Sequence, residues 1–174
     1  MKRTVLIMSA VLLCTLASTV TAQKFAFIDM EYILKNIPAY EMTNEQLGQL
    51  SEKWQAEVET LQQEAQTMYK NFQSDLVFLS AEMKSKREEE IIKKEQAAQD
   101  LKRKYFGAEG ELYKKREQLM KPIQDEIFNA VKAIAEDNGY QAIVDRTSAL
   151  GIVIFASPKI DVSDEVLKKM GYSK

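Results

Sequence analysis

Histidine is absent from the 174-residue chain, and the single cysteine, Cys14, lies in an apolar stretch near the N-terminus. Beyond that stretch, histidine bases, cysteine nucleophiles, Cys/His zinc sites and disulfides are all excluded. The sequence also contains no glycine-rich phosphate loop and no G-x-S-x-G motif. These absences predict a protein that is not an enzyme and that holds no metal or cofactor.

Residues that form turns are scarce as well, with 6 glycines and 3 prolines in the whole chain. Few turn formers predict few turns, and therefore a small number of long elements.

The N-terminal residues have the pattern of a secretory signal. Lys2 and Arg3 precede an apolar run at residues 5–17, and small residues at Val20 and Ala22 offer a cleavage site. The run is about 13 residues long, shorter than the roughly 20 that a membrane-spanning helix needs. We predict that residues 1–22 form a signal peptide cut after Ala22. A retained membrane anchor is the alternative, and the leucines that precede Cys14 argue against lipid attachment.

The predicted mature chain is mildly acidic. Removing Lys2 and Arg3 lowers the basic count from 24 to 22 against 26 acidic residues, a net charge of −4. Basic residues are not clustered as a nucleic-acid surface requires, so we expect no nucleic-acid partner. The mixed charges around residues 84–94 are typical of a solvated helix face rather than of a catalytic carboxylate pair.

The first half of the mature chain predicts a strand, a short helix and a long helix. Residues 24–30 have strand character, Asp29 can cap a helix over residues 31–36, and Pro38 ends it. From residue 42 to 79, apolar residues recur every three or four positions, which indicates a coiled-coil helix. Ser80 can cap a second long helix over residues 81–137, which Gly107, Gly110 and Pro122 weaken or bend. Gly139 is expected to end that helix in the left-handed conformation.

The C-terminal part predicts strands. Residues 141–145 and 151–156 have the composition of two strands that form a hairpin, residues 160–162 a short extended piece, and residues 165–170 a last helix capped by Ser163 or Asp164. The predicted fold is α+β, a long antiparallel coiled-coil hairpin on a small β body. Residues 23–40 and 139–174 would form the body, and residues 41–138 the helical arm.

Strands of the body are apolar on both faces, which indicates burial on both sides. The helix roots can cover one face, and a second copy of the chain would cover the other. In the alternative, the ends of the two long helices next to the body cover both faces of the strands, and no second copy is needed. The residues expected in the body core or oligomer interface are Phe25, Phe27, Ile28, Ile143, Val144, Ile152, Ile154 and Phe155.

The arm carries more aromatic residues than a solvated hairpin needs. Those that follow the apolar stripe are expected in the hairpin core, whereas Tyr69, Phe78, Phe106 and Tyr113 lie off it. Exposed aromatic residues suit a surface that accommodates varied partners. These four are therefore the predicted client-binding residues.

The order of elements resembles the Skp/OmpH family of periplasmic chaperones across the whole mature chain. The matching segments are 25–34 (FAFIDMEYIL), 79–91 (LSAEMKSKREEEI), 139–145 (GYQAIVD) and 160–170 (IDVSDEVLKKM). The resemblance implies a jellyfish-shaped homotrimer that holds unfolded outer-membrane β-barrel proteins in the periplasm without ATP. The best-known members are strongly basic and this chain is not, so only a weak envelope-lipid contact through the arm tip is expected. A structural coiled-coil spacer of the cell envelope is the alternative function.

Overall fold

The computed structural model describes residues 23–147 and 153–172. Eight elements follow in chain order: β1 (Phe25–Ile28), α1 (Met30–Lys35), α2 (Pro38–Asp75), α3 (Ala81–Phe106), α4 (Glu111–Asn138), β2 (Ala142–Asp145), a 3-10 turn (Pro158–Ile160) and α5 (Ser163–Lys169). The predicted signal peptide, its cleavage site and Ile152 lie outside the described residues. The α+β architecture of long helices and a small sheet matches the sequence prediction.

The long helices form an antiparallel hairpin, with α2 running back along α3 and α4. With 38 residues, α2 is about 57 Å long. The buried residues between the helices define the seam of the arm: Leu47, Val58, Ala65 and Phe72 of α2, and Ile91 and Ala98 of α3. Their spacing of mostly seven residues is the coiled-coil repeat.

The helix ends follow local capping chemistry. The Asp29 carboxylate accepts the Tyr32 N–H at 2.8 Å, and the Ser80 hydroxyl accepts the Met83 N–H at 3.3 Å. Gly139 ends α4 in the left-handed conformation at φ 69°, where a residue without Cβ is favoured. These three predictions are confirmed. Pro38, predicted only to end the short helix, in fact begins α2 near its N1 position, where its missing N–H costs nothing.

The prediction of a single helix over residues 81–137 is wrong, because the helix is interrupted between Phe106 and Glu111. At Gly110, an added Cβ would lie 2.7 Å from the Tyr105 carbonyl oxygen, and at Gly107 it would lie 2.5 Å from that of Arg103. Only glycine fits such a close backbone approach. The two glycines therefore end one helix and begin the next, whereas Pro122 lies within α4.

The sheet consists of β1 and β2, which pair in parallel with Phe25 opposite Ala142 and Ile28 opposite Asp145. The other edge of β1 meets the C-terminal segment, where the Val162 N–H donates to the Phe27 carbonyl at 2.9 Å. Ala26 and Ile28 point into the core of the body, which α1, α4 and α5 complete. The body therefore sits at the root of the arm and joins both ends of the described chain.

The predicted hairpin of residues 141–145 with 151–156 is wrong within the part that the structure describes. Residues 153–156 form no strand, and Ile154 and Phe155 are 98% and 81% exposed. In one chain no layer covers their apolar side chains, so pairing there would bury little surface.

The predicted cap of the last helix is also wrong, because neither Ser163 nor Asp164 fills that position. The helix begins at Ser163, whose hydroxyl accepts the Asp29 N–H at 2.8 Å. The Asp161 carboxylate accepts the Ser163 N–H at 2.9 Å. The Ser163 hydroxyl therefore joins the start of α5 to the end of β1 instead of closing its own helix.

An ion network holds these body segments together. Arg146 lies 2.9 Å from the Asp29 carboxylate and 3.2 Å from that of Asp161. Partial burial acts to raise the pKa of Asp29, but hydrogen bonds from the Tyr32 N–H and Arg146 outweigh it and lower the pKa below its ordinary value. The charged form of Asp29 thus stabilises the junction of β1, β2 and α5.

We predict that Asp29→Asn lowers the free energy of unfolding at pH 7 by about 1 kcal/mol, because asparagine keeps the helix cap but loses the charge. Since the folded-state pKa of Asp29 is lowered, its stabilisation is present above the unfolded-state pKa and is lost as pH falls through the folded value. Urea denaturation across acidic pH should therefore show the variant approaching the parent in stability.

Asp125→Asn is the matched control, since Asp125 forms an exposed i,i+4 pair with Lys121 on α4. Its loss should change stability by less than about 0.5 kcal/mol at pH 7. An equal effect of the two substitutions at pH 7 would rule out a special role for the Asp29 network.

Candidate functional site on the arm

The arm has two unlike faces on either side of its seam. Glu57 and Glu59 flank the buried Val58 and therefore point to opposite sides of α2. Glu57 lies on the side where polar contacts cross between the helices, and Glu59 lies on the side that is open. We name these the closed face and the open face.

On the closed face, side chains join α2 to α3 directly. The Tyr105 hydroxyl donates to the Glu57 carboxylate at 2.7 Å, and Lys94 lies 2.6 Å from Glu64. The Tyr105 ring also stacks on Trp54, with ring centroids 4.6 Å apart and planes 4° from parallel. The hydrogen bond to Glu57, and then burial, raise the pKa of the Tyr105 phenol. This face therefore fixes the two helices beside the interruption at residues 107–110.

On the open face, a groove of about 630 Å³ runs between α2 and α3. The buried Ala65 and Ala98 form its floor, because both seam residues at this level are small. The walls are mostly uncharged and polar: Glu59, Gln62, Gln63, Gln66 and Tyr69 on α2, and Glu95 and Gln99 on α3.

A second depression of about 340 Å³ lies along α3 toward the helix interruption. Gln99 lines both depressions, and all other walls of the second one come from the end of α3 and the residue that follows it. These walls are Lys102, Arg103, Phe106 and Gly107. We call the two neighbouring depressions together, bounded by the residues named for each, the open groove.

The four predicted client-binding residues fall in three places. Tyr69 and Phe106 border the open groove, and the Phe106 ring contacts Tyr105 edge-on at 6.3 Å. Phe78 is 85% exposed at the turn of the hairpin. Tyr113 lies on α4, where its hydroxyl donates to Glu117 at 2.9 Å. The structure thus places Tyr69 and Phe106 at different depressions of the open groove and does not bring the four residues together.

Sequence reasoning missed the glutamines of the open groove. Gln62, Gln63 and Gln66 recur on one face of α2 beside the apolar stripe, a spacing that the sequence itself displays. It also missed Val77, which is 82% exposed beside Phe78. The signal was available in the run of residues 76–79, which are all apolar at a point where the helical pattern stops.

The predicted body residues divide between the core and the surface. Ile28 is buried in the core and Ile143 packs against it. Phe25, Phe27 and Val144 lie on the other face of the sheet, since register places Phe27 beside Val144. Phe25 and Val144 are exposed there, as are Ile154 and Phe155 on the following segment. An apolar patch of this kind on a small body commonly marks an interface.

Across residues 23–147 and 153–172, no group of acidic side chains has the arrangement of a metal site. Within the same residues, no helix combines the length and the apolar character needed to cross a bilayer. The buried side-chain nitrogen and oxygen atoms of this region all have hydrogen-bond partners. The open groove and the apolar patch are two candidate binding surfaces of the described structure.

The fold and these surfaces define a protein with a helical-hairpin arm on a small α+β body, with its candidate binding site along the arm. The family model "Outer membrane protein (OmpH-like)" matches residues 24–170, and the chain belongs to this family.

Over most of its length, the chain is similar in sequence to two chaperones and similar in fold to a solved structure. The chain is 24% identical to the chaperone protein Skp of Yersinia enterocolitica over 162 residues, which cover 88% of this chain and 90% of the relative. It is also 24% identical to Skp of Pectobacterium atrosepticum over 163 residues, covering 88% and 89%. An OmpH-like crystal structure from Caulobacter crescentus superposes with a TM-score of 0.68 at 11% identity, covering 86% and 85% of the two chains. That likeness establishes the shared fold.

Proposed function

We propose that this protein is a chaperone of outer-membrane proteins, and more specifically a holdase that sequesters unfolded β-barrel clients without ATP. Membership of the OmpH-like family and similarity to Skp chaperones over most of the chain support the chaperone role. The observation that carries the holdase mechanism is the open groove, which combines the exposed Tyr69 and the half-buried Phe106 with polar walls. Such a surface can make many weak contacts with varied sequences.

Sequestration works when the empty chaperone is soluble and the bound client cannot meet another client. The arm surrounds its aromatic residues with charges of both signs, as in the pairs Lys93–Glu89 and Lys121–Asp125. These exposed pairs add little stability, but they keep the arm hydrated. Individually weak contacts let the client dissociate without an energy source.

The proposed compartment is the periplasm. The signal at residues 1–22 would direct export, and cleavage after Ala22 would leave Gln23 at the N-terminus. A mature chain without cysteine suits an oxidising compartment, because no incorrect disulfide can form.

Assembly into a homotrimer is the second part of the proposal. Residues 23–40 and 139–174 would form the shared body, and residues 41–138 would form one arm of each subunit. Phe25, Val144, Ile154 and Phe155 support this division, because their apolar side chains are exposed within the described chain, and the half-buried Phe27 lies on the same face of the sheet as Phe25 and Val144. Three arms on one body would enclose a space for the client.

A structural spacer of the cell envelope is the second candidate function. The uninterrupted α2 and the stacked Trp54–Tyr105 pair favour it, because both stiffen the arm. A spacer needs no client surface, so client binding separates the two functions.

We predict that the mature protein, residues 23–174, suppresses light scattering when an unfolded outer-membrane β-barrel protein is diluted from urea at equimolar trimer. The double variant Tyr69→Ala/Phe106→Ala should bind the client about tenfold more weakly, since it loses two aromatic contacts in the open groove. The matched control, Phe128→Ala, removes an aromatic residue that is 67% exposed on α4, outside the groove, and should change binding less. If the parent protein leaves aggregation unchanged, the holdase proposal fails.

We also predict that the mature protein has the mass of a trimer by light scattering coupled to size-exclusion chromatography. Ile154→Lys/Phe155→Lys should reduce the mass, because charge would replace the apolar surface that the subunits bury. Val77→Lys, at an equally exposed site on the arm tip, should leave the mass unchanged. A monomeric parent protein would contradict the assembly.

A further inference from the structure

We propose that the open groove binds an extended segment of unfolded polypeptide through its backbone amide groups, with the side-chain amides of Gln62, Gln66 and Gln99 as the partners. This inference rests on the proposed function and specifies the chemistry by which a client is recognised.

The first observation is that these three amides are unengaged. Within the described chain, the side chains of Gln62, Gln66 and Gln99 form no hydrogen bond, although each lines the groove. Two other glutamines of the arm use theirs: Gln55 donates to Glu59 at 2.9 Å, and Gln73 donates to the Tyr69 hydroxyl at 2.9 Å. The groove therefore presents free donors and acceptors side by side.

The second argument is chemical. A side-chain amide both donates and accepts, as a peptide group does, so the two can pair in either direction. An unfolded chain exposes these peptide groups, whereas a folded barrel has paired them within its sheet. Recognition through the backbone consequently selects an unfolded state and tolerates any side-chain sequence.

The third argument is the match of two repeats. Gln62 and Gln66 are four residues apart on α2, a rise of about 6 Å. In an extended chain, backbone groups on one side recur every second residue, at about 6.6 Å. The two amides can therefore meet successive peptide groups on the same side of one strand. From Glu59 to Tyr69 the groove spans about 15 Å, which accommodates four to five extended residues.

The fourth argument concerns the floor and the charge of the groove. Ala65 and Ala98 leave the space that a Leu pair would fill, so a backbone can approach the amides closely. Carboxylates at Glu59 and Glu95 and cations at Lys102 and Arg103 border the two parts of the groove. With both signs present, the groove favours neither an anionic nor a cationic ligand, in agreement with a backbone partner.

The test uses the full mature protein and the triple variant Gln62→Met/Gln66→Met/Gln99→Met. Methionine keeps the length and the helix propensity of glutamine but cannot form the amide hydrogen bonds. The matched control is Gln46→Met/Gln49→Met/Gln124→Met, at exposed glutamines outside the groove. Circular dichroism and size-exclusion mass show that each variant folds and assembles as the parent does.

Two fluorescent unfolded probes of unrelated sequence are titrated: an outer-membrane β-barrel protein in dilute urea, and reduced, carboxymethylated α-lactalbumin. We expect the groove variant to raise Kd about tenfold for both probes, and the control variant to stay within twofold of the parent. Equal or tighter binding by the groove variant would overturn backbone recognition and indicate contact with apolar client side chains. A loss for one probe alone would also overturn it, because the backbone is common to both.

The experiment distinguishes failure of this inference from failure of the proposed function. If the parent binds the barrel protein and the groove variant binds it equally, the holdase survives and only the backbone mechanism is lost. If the parent binds neither probe, both are overturned. A change in mass of the groove variant without client would instead identify a second copy of the arm as the occupant, which also contradicts the inference.

Discussion

The parallel pairing of β1 with β2 is the constraint on which the rest of the structure depends. Two strands that run in the same direction need a long connection between them, and here that connection is the whole arm. The Gln141 N–H donates to Lys24 and the Arg146 N–H donates to Ile28, each at 2.9 Å, so the two ends of the arm stay together. Arg146 adds ion pairs with Asp29 and Asp161 at the same junction.

Because its two ends are joined, the arm must leave the body and return to it. The seam residues determine how α2 packs against α3 and α4, which run in the opposite direction. Large apolar residues such as Val58 and Phe72 set the helix spacing above and below a level where Ala65 meets Ala98. Polar contacts from Tyr105 and Lys94 then close one face. The opposite face is left as a groove, so one packing arrangement generates both the polar contacts between the helices and the candidate binding surface.

The body leaves apolar surface uncovered in a single chain, and this is the physical reason for proposing assembly. A two-stranded sheet is marginal by itself, and here the core on its inner face depends on α1, α4 and α5. Its outer face carries Phe25 and Val144 in contact with solvent. Association would bury that face and position several arms around one space, which links the stability of the body to the holdase proposal.

The sequence by itself determined the features that depend on neighbouring residues. Apolar spacing predicted the two long helical stretches of the arm, and short-range capping chemistry predicted the roles of Asp29, Ser80 and Gly139. Only the tertiary structure decided that β2 pairs in parallel with β1, that Ser163 contacts the end of β1, and that the glycine pair breaks a helix rather than weakening it. It alone placed Tyr69 and Phe106 beside two neighbouring depressions of the arm while leaving Phe78 and Tyr113 elsewhere. Helical periodicity states which residues share a face of one helix, whereas a groove depends on how two helices pack, and that packing involves residues distant in the chain.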